Sequence, residues 1–215
     1  MAAERWATFD CYGTLIDWNG GIRHELARVF GEDQADARLG RYHEIEPALQ
    51  VGGERTYREV MTAAMTELGA PVGEEAGLAA ALPSWEAFPE VPSALEEARA
   101  RGWKLAVLSN SDRDLIEASL AQIGVPFELA VVASEIRSYK PAHAHWLHFF
   151  EQTGASQDRH VHVAQSHFHD IVPATELGLR SIWVNRGAER HELRPSRELA
   201  DLSGLPDALD DLVPA

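Results

Sequence analysis

In the run Thr8-Phe9-Asp10-Cys11-Tyr12-Gly13-Thr14-Leu15, a carboxylate follows an apolar segment and precedes a glycine able to tighten a turn. Asp10 is therefore a candidate nucleophile at a strand's carboxyl end. Two residues on, Tyr12 offers a phenol, which cannot shuttle a proton at neutral pH as a second carboxylate would. Three more polar clusters stand beyond apolar runs: Ser109-Asn110-Ser111, Lys140 in a Tyr-Lys-Pro context, and Gln165-Ser166-His167-Phe168-His169-Asp170. In an open α/β sheet such strand ends converge on one crevice, so the four clusters together describe a site.

Apolar runs at 6–9, 105–108, 129–133, 161–164 and 181–184 alternate with helical patterns, which predicts an α/β fold with a doubly wound parallel sheet. Ser93 with Glu96 reads as a capping box, and Ile116, Leu120 and Ile123 form a helical stripe that stops at Gly124. The stretch 18–87 is too long for a simple βα connection and is mostly helical in pattern, with breaks at Gly52-Gly53 and Gly69-Ala70-Pro71. It predicts a helical cap inserted into a core made of 1–17 and 88–215.

A chain of 215 residues can bury a sizeable core without disulfides, and its single cysteine, Cys11, permits none internally. With no leader or membrane-spanning pattern, a cytoplasmic enzyme is the expectation. The net charge of -15 argues against binding to nucleic acid or an anionic membrane, while leaving room for a small anion in a locally positive pocket. Alternation along the strand points Cys11 away from Asp10, which makes it a buried structural thiol.

Taken together, Asp10, Ser109, Lys140-Pro141 and Asp170 make the chain similar to the haloacid dehalogenase (HAD) superfamily of hydrolases. That resemblance implies a HAD-like Rossmannoid core with Asp10 as nucleophile. Superfamily phosphatases carry carboxylates where Tyr12 and Gln165 stand here, and without them both Mg²⁺ binding and proton delivery are weakened. The first motif, Asp-x-Tyr-Gly-Thr, instead resembles the type II, L-2-haloacid dehalogenases, which work without a metal. The implied reaction is attack by Asp10 on Cα of a 2-haloacid, halide departure, and hydrolysis of the resulting aspartyl ester.

Within that resemblance Lys140 keeps Asp10 ionised, Ser109 and Thr14 donate hydrogen bonds nearby, Asn110 contacts halide through its amide, and Tyr12 walls the pocket. Arg41 is the candidate in 18–87 for stabilising the departing halide. Asp170 orients Lys140 or the hydrolytic water, and His167 or His169 is a candidate base. His169, with Gln165 and Ser166, lies where the dehalogenases shape the halide pocket, and a histidine in place of a large aromatic suits a small leaving group such as fluoride. Trp146 falls where those enzymes place a tyrosine. The substrate is then a small anionic organic molecule, no cofactor is required, and a homodimer is the oligomer to expect.

Other readings stay open: a Mg²⁺-dependent phosphatase of a small phosphorylated metabolite, carboxylate attack on another activated carbon, or a non-catalytic binding protein. Zinc at His160, His162, His167 and His169 is set aside, because the first pair shares a strand face and the second lies beyond its end. His143 and His145 read as surface residues at a helix start.

Overall fold

The computed structural model describes residues 4–215, in which six strands form: β1 (Arg5–Phe9), β2 (Trp103–Ser109), β3 (Leu129–Val132), β4 (His160–Ala164), β5 (Arg180–Val184) and β6 (Arg197–Leu199). All pair in parallel, in the order β3-β2-β1-β4-β5-β6. β1 is central, and the chain leaves it toward β2 on one side and β4 on the other. That reversal opens a crevice beyond the carboxyl ends of β1, β2 and β4.

Ten α-helices accompany the described sheet. α1 (Trp18–Phe30), α2 (Ala35–Gln50), α3 (Tyr57–Glu67) and α4 (Gly77–Ala81) lie between β1 and the next core helix, α5 (Val91–Ala100). α6 (Arg113–Ile123), α7 (Ala133–Ile136), α8 (Ala144–Thr153), α9 (Val172–Glu176) and α10 (Leu205–Leu212) complete the chain. Among the described residues, no helix is long and apolar enough to cross a membrane.

Both faces of the sheet are covered, so its strands are apolar on both sides. Ala7 and Phe9 of β1 join Leu105, Val107, Val161 and Val163 in a core that continues into α1–α4. Trp6, one pleat out of phase, joins Ala106 and Leu108 against Trp146 and Phe149 of α8. Thr8, His160 and His162 are buried on that second face too, where the rings of Trp146 and Phe149 contact the two imidazoles.

α6 ends at Gly124, as its stripe predicts, in a left-handed conformation with φ of 74°. The expected capping box at Ser93 does not form. Val91-Pro92 opens α5 three residues earlier, since proline's fixed φ suits the first helical turn, and the Ser93 hydroxyl turns back to donate to the Glu90 carbonyl. A true capping box stands instead at Thr56 and Glu59. The N-terminus of α3 also docks on the core: the backbone N–H groups of Tyr57 and Arg58 donate to the buried Asp112 carboxylate at 2.9 and 3.0 Å.

Candidate active site

Asp10 leaves the end of β1 into the turn that Gly13 makes possible. Gly13 has φ of 88°, and a Cβ there would sit 3.2 Å from the Gln165 side-chain oxygen. The turn brings Thr14 back over Asp10, where its hydroxyl donates to Oδ2 at 2.8 Å and accepts the Gln165 backbone N–H at 2.9 Å. Lys140 Nζ donates to Asp10 Oδ1 at 2.9 Å, to Asp170 Oδ1 at 2.7 Å and to the Leu108 carbonyl at 2.9 Å. Its three protons have three acceptors. Asn110 clamps the Lys140 backbone, accepting its N–H at 2.6 Å and donating to its carbonyl at 3.0 Å.

Burial opposes the charge on Lys140, yet the Asp10 and Asp170 carboxylates outweigh it and hold the ammonium above the ordinary lysine pKa. Burial likewise opposes ionisation of Asp170, but Lys140 and His162 hold its carboxyl below the usual range. Asp170 Oδ1 takes both Lys140 and His162, while buried Oδ2 has no hydrogen-bond partner. The Ser109 hydroxyl is also buried and unpartnered, so it is a free donor and does not bond to Asp10 as expected.

Asp10, Ser109, Lys140 and Asp170 line a cavity of about 310 Å³ with Tyr12, Asn110, Gln165, Ser166 and His169. Tyr12 forms a wall, stacked near Tyr57 and hydrogen-bonded to Ser119. The Ser166 hydroxyl accepts the His169 backbone N–H and lies 3.0 Å from Nδ1. With the Ser166 proton donated to Nδ1, His169 Nε2 is the protonated ring nitrogen. Burial lowers the His169 pKa, so the ring is a neutral donor. Asn110 lines the cavity too, but its amide protons go to the Lys140 carbonyl and to Gln50, which leaves the expected halide contact without a donor.

Three predicted site residues are not brought to this cavity. Arg41 is exposed on α2 and pairs with Glu44, because the cavity-facing positions of that helix, His43, Glu46, Pro47 and Gln50, lie on the opposite side of its turn. His167 turns away to the Leu193 carbonyl at 3.0 Å and stacks on His191. Trp146 is buried behind the sheet, edge-on to His162. His145, expected at the surface, is fully buried instead: it faces the sheet beside Trp146 and bonds to the Ser109 carbonyl at 3.1 Å. Burial, reinforced by Lys140, pushes its pKa down to about 3. Cys11 is buried and its thiol pKa is raised by burial and by Asp10, in keeping with a structural thiol.

The α2 side supplies residues that the strand-end motifs could not reveal: Glu46, Gln50 and His43, with Trp18, Asn19 and Tyr57 from neighbouring elements. Their signal was the i, i+3, i+4, i+7 spacing of 43, 46, 47 and 50, a helical face that is polar where a core face would be apolar. Glu46 is buried, bonded by the Gln50 amide, and its pKa is pushed up to about 7 by burial against the opposing effect of Tyr57 and Gln50.

Residues 5–172 match the family of haloacid dehalogenase-like hydrolases. The chain belongs to that family. Among curated relatives of this hydrolase, an (S)-2-haloacid dehalogenase of Pseudomonas putida is 28% identical, over 94% of this chain and 96% of the relative. A haloacetate dehalogenase of Moraxella sp. (strain B) is also 28% identical, over 83% and 84% of the two chains. The crystal structure of an L-2-haloacid dehalogenase superposes with a TM-score of 0.83 at 22% identity, covering 97% of this chain and all of the other, which shows the shared fold.

Some members of the superfamily hold Mg²⁺, and the donor set here does not fit it. Mg²⁺ requires octahedral oxygen ligation. Position 12 is a phenol hydrogen-bonded to Ser119, position 165 is an amide, and Asp170 Oδ1 is taken by an ammonium and an imidazole. As carboxylate donors at the motif positions, only Asp10 and one oxygen of Asp170 remain.

Proposed function

We propose that this hydrolase cleaves the carbon–halogen bond of a short 2-haloacid, without a metal, through an ester on Asp10. The observation that carries the reading is the Asp10 carboxyl, held by Lys140 and Thr14 at the edge of a small cavity that offers donors to substrate. The names of the two dehalogenase relatives given above agree with it. In this reading 1–17 and 88–215 form the catalytic core, and 18–87 forms a cap that closes the cavity.

A carboxylate oxygen of Asp10 attacks Cα from behind the carbon–halogen bond. The C–O bond forms as the C–halogen bond breaks, and the electron pair leaves with halide, so no acid is needed at position 12. The Ser109 hydroxyl and the Nε2–H of His169 face substrate as donors for its carboxylate and the departing halide. Asp10, now an ester, no longer balances Lys140, whose charge remains neutralised by Asp170. Water then attacks the Asp10 carbonyl carbon; Asp170 Oδ2 orients it and accepts its proton. The acyl–oxygen bond breaks, the departing alkoxide takes that proton back from Asp170 and is released as a 2-hydroxyacid, and the second proton of the water leaves for solvent as the Asp10 carboxylate is restored. Because only the first step breaks a bond at Cα, configuration there inverts once. Tyr12, Gln165 and Ser166 shape the walls. Arg41, Trp146 and His167 carry no role at these positions.

Halide release from 2-chloropropionate in the presence of chelator tests the reading. Sustained turnover is expected; phosphate release from a phosphoester that requires added Mg²⁺, with no halide released, would overturn it. Fluoroacetate against chloroacetate tests whether His169 suits the pocket to fluoride, an idea that chloride release without fluoride release removes.

A further inference from the structure

Beneath Asp170 runs a buried polar chain that the reaction as written does not use. His162 Nε2 lies 2.9 Å from Asp170 Oδ1, and its Nδ1 lies 2.8 Å from the Thr8 hydroxyl, which in turn lies 2.8 Å from His160 Nε2. All four residues are buried, and Thr8 and His162 are register partners across β1 and β4. An ionised carboxylate only accepts, so His162 Nε2 bears a proton. Burial keeps His160 neutral. The arrangement that leaves no buried N–H without an acceptor then runs one way: His160 Nε2–H to Thr8 oxygen, Thr8 O–H to His162 Nδ1, His162 Nε2–H to Asp170. Its single orphan is His160 Nδ1, as an acceptor.

The consequence falls on Asp170. Lys140 and His162 together occupy Oδ1 and fix the carboxylate plane, while Oδ2 stays without a partner on a residue that lines the cavity. We propose that His162 is a positioning residue for the second half of the reaction: it reserves Asp170 Oδ2 for the water that cleaves the Asp10 ester, and Thr8 and His160 set its tautomer. This rests on the haloacid reading above. A hydrogen-bonded partner on the far side of a reacting group fixes the tautomer and orientation of the group it serves.

Replacing His162 separates the two chemical steps. His162→Phe keeps an aromatic ring against Trp146 but removes the donor. Its first-turnover burst of halide from 2-chloropropionate is expected to stay near wild type, while ester hydrolysis slows about 10–100-fold. The adduct then accumulates on the Asp10 peptide. His162→Gln places an amide N–H near the lost Nε2–H and is expected to recover hydrolysis to within about fivefold. Thr8→Val, which leaves His162 in place, keeps the test open if His162→Phe fails to fold; a hydrolysis-only slowing of about threefold or more is expected. Equal slowing of burst and hydrolysis, wild-type hydrolysis in His162→Phe, or no recovery in His162→Gln would overturn the positioning role alone. No halide release from the wild-type enzyme would overturn the haloacid reading and this role with it.

Discussion

On the strand side of the cavity Asp170 is buried against an ammonium and an imidazole and is held ionised, whereas on the α2 side Glu46 is buried against an amide and a phenol and titrates near neutrality. Burial raises the pKa of both carboxyls; what differs is whether a charged partner answers it. Neutral donors do not offset desolvation as Lys140 does. The strand side is therefore a preorganised ionic assembly fit for covalent chemistry. The α2 side changes charge close to physiological pH and faces the same substrate.

The largest effect is expected from Asp10→Asn, which removes the nucleophile from the ionic side and should lower halide release about 10³-fold or more. Steady-state halide assays check it, and retained turnover would sink the assignment. Next comes Lys140→Met. It leaves Asp10 and Asp170 buried without their cation, and should cost about 3–5 kcal/mol of unfolding free energy in denaturant titrations, with loss of activity.

Glu46 probes the other side. Its folded pKa of about 7 lies above the ordinary 4.5, so its stabilisation is full below the ordinary value and is lost as pH rises through 7. Glu46→Gln should match wild type in acid and exceed it by up to about 3 kcal/mol above pH 8. Melting temperatures across pH read this out, and parallel curves would contradict it. Asp170 has the opposite sense: its depressed pKa gives stability that is present above the ordinary carboxylate value and lost as pH falls below it. The smallest effect is expected from Arg41→Ala, since its ion pair with Glu44 is exposed. Its kcat/KM should stay within about twofold of wild type, and a loss of about 100-fold would mean that α2 turns during catalysis.

The two sides were also unequally legible. Asp10, Ser109, Lys140 and Asp170 each follow an apolar strand, and parallel topology forces such ends together whatever else the chain does. No comparable rule ties a helix inserted above the sheet to the crevice. Arg41 is the arginine that the resemblance implies there, and the turn of α2 sends it to the opposite face, while the face that does look inward is marked only by a polar helical spacing that a solvated face would share. β6 escaped because Arg197-Glu198-Leu199 is short and carries no alternating apolar pattern, its pairing supplied by the edge of β5. His145 reads as exposed in the sequence because one imidazole among helix-start residues shows nothing of the sheet it packs against.

The most direct measurement of the central claim is one turnover of 2-chloropropionate by excess enzyme in water enriched in heavy oxygen, followed by mass spectrometry of the peptides and of the product. If water cleaves an ester on Asp10 at its carbonyl carbon, the heavy atom enters the Asp10 side chain and the first 2-hydroxyacid released is unlabelled. Heavy oxygen in that product with none in Asp10 would mean that water attacks Cα directly, and would contradict the account.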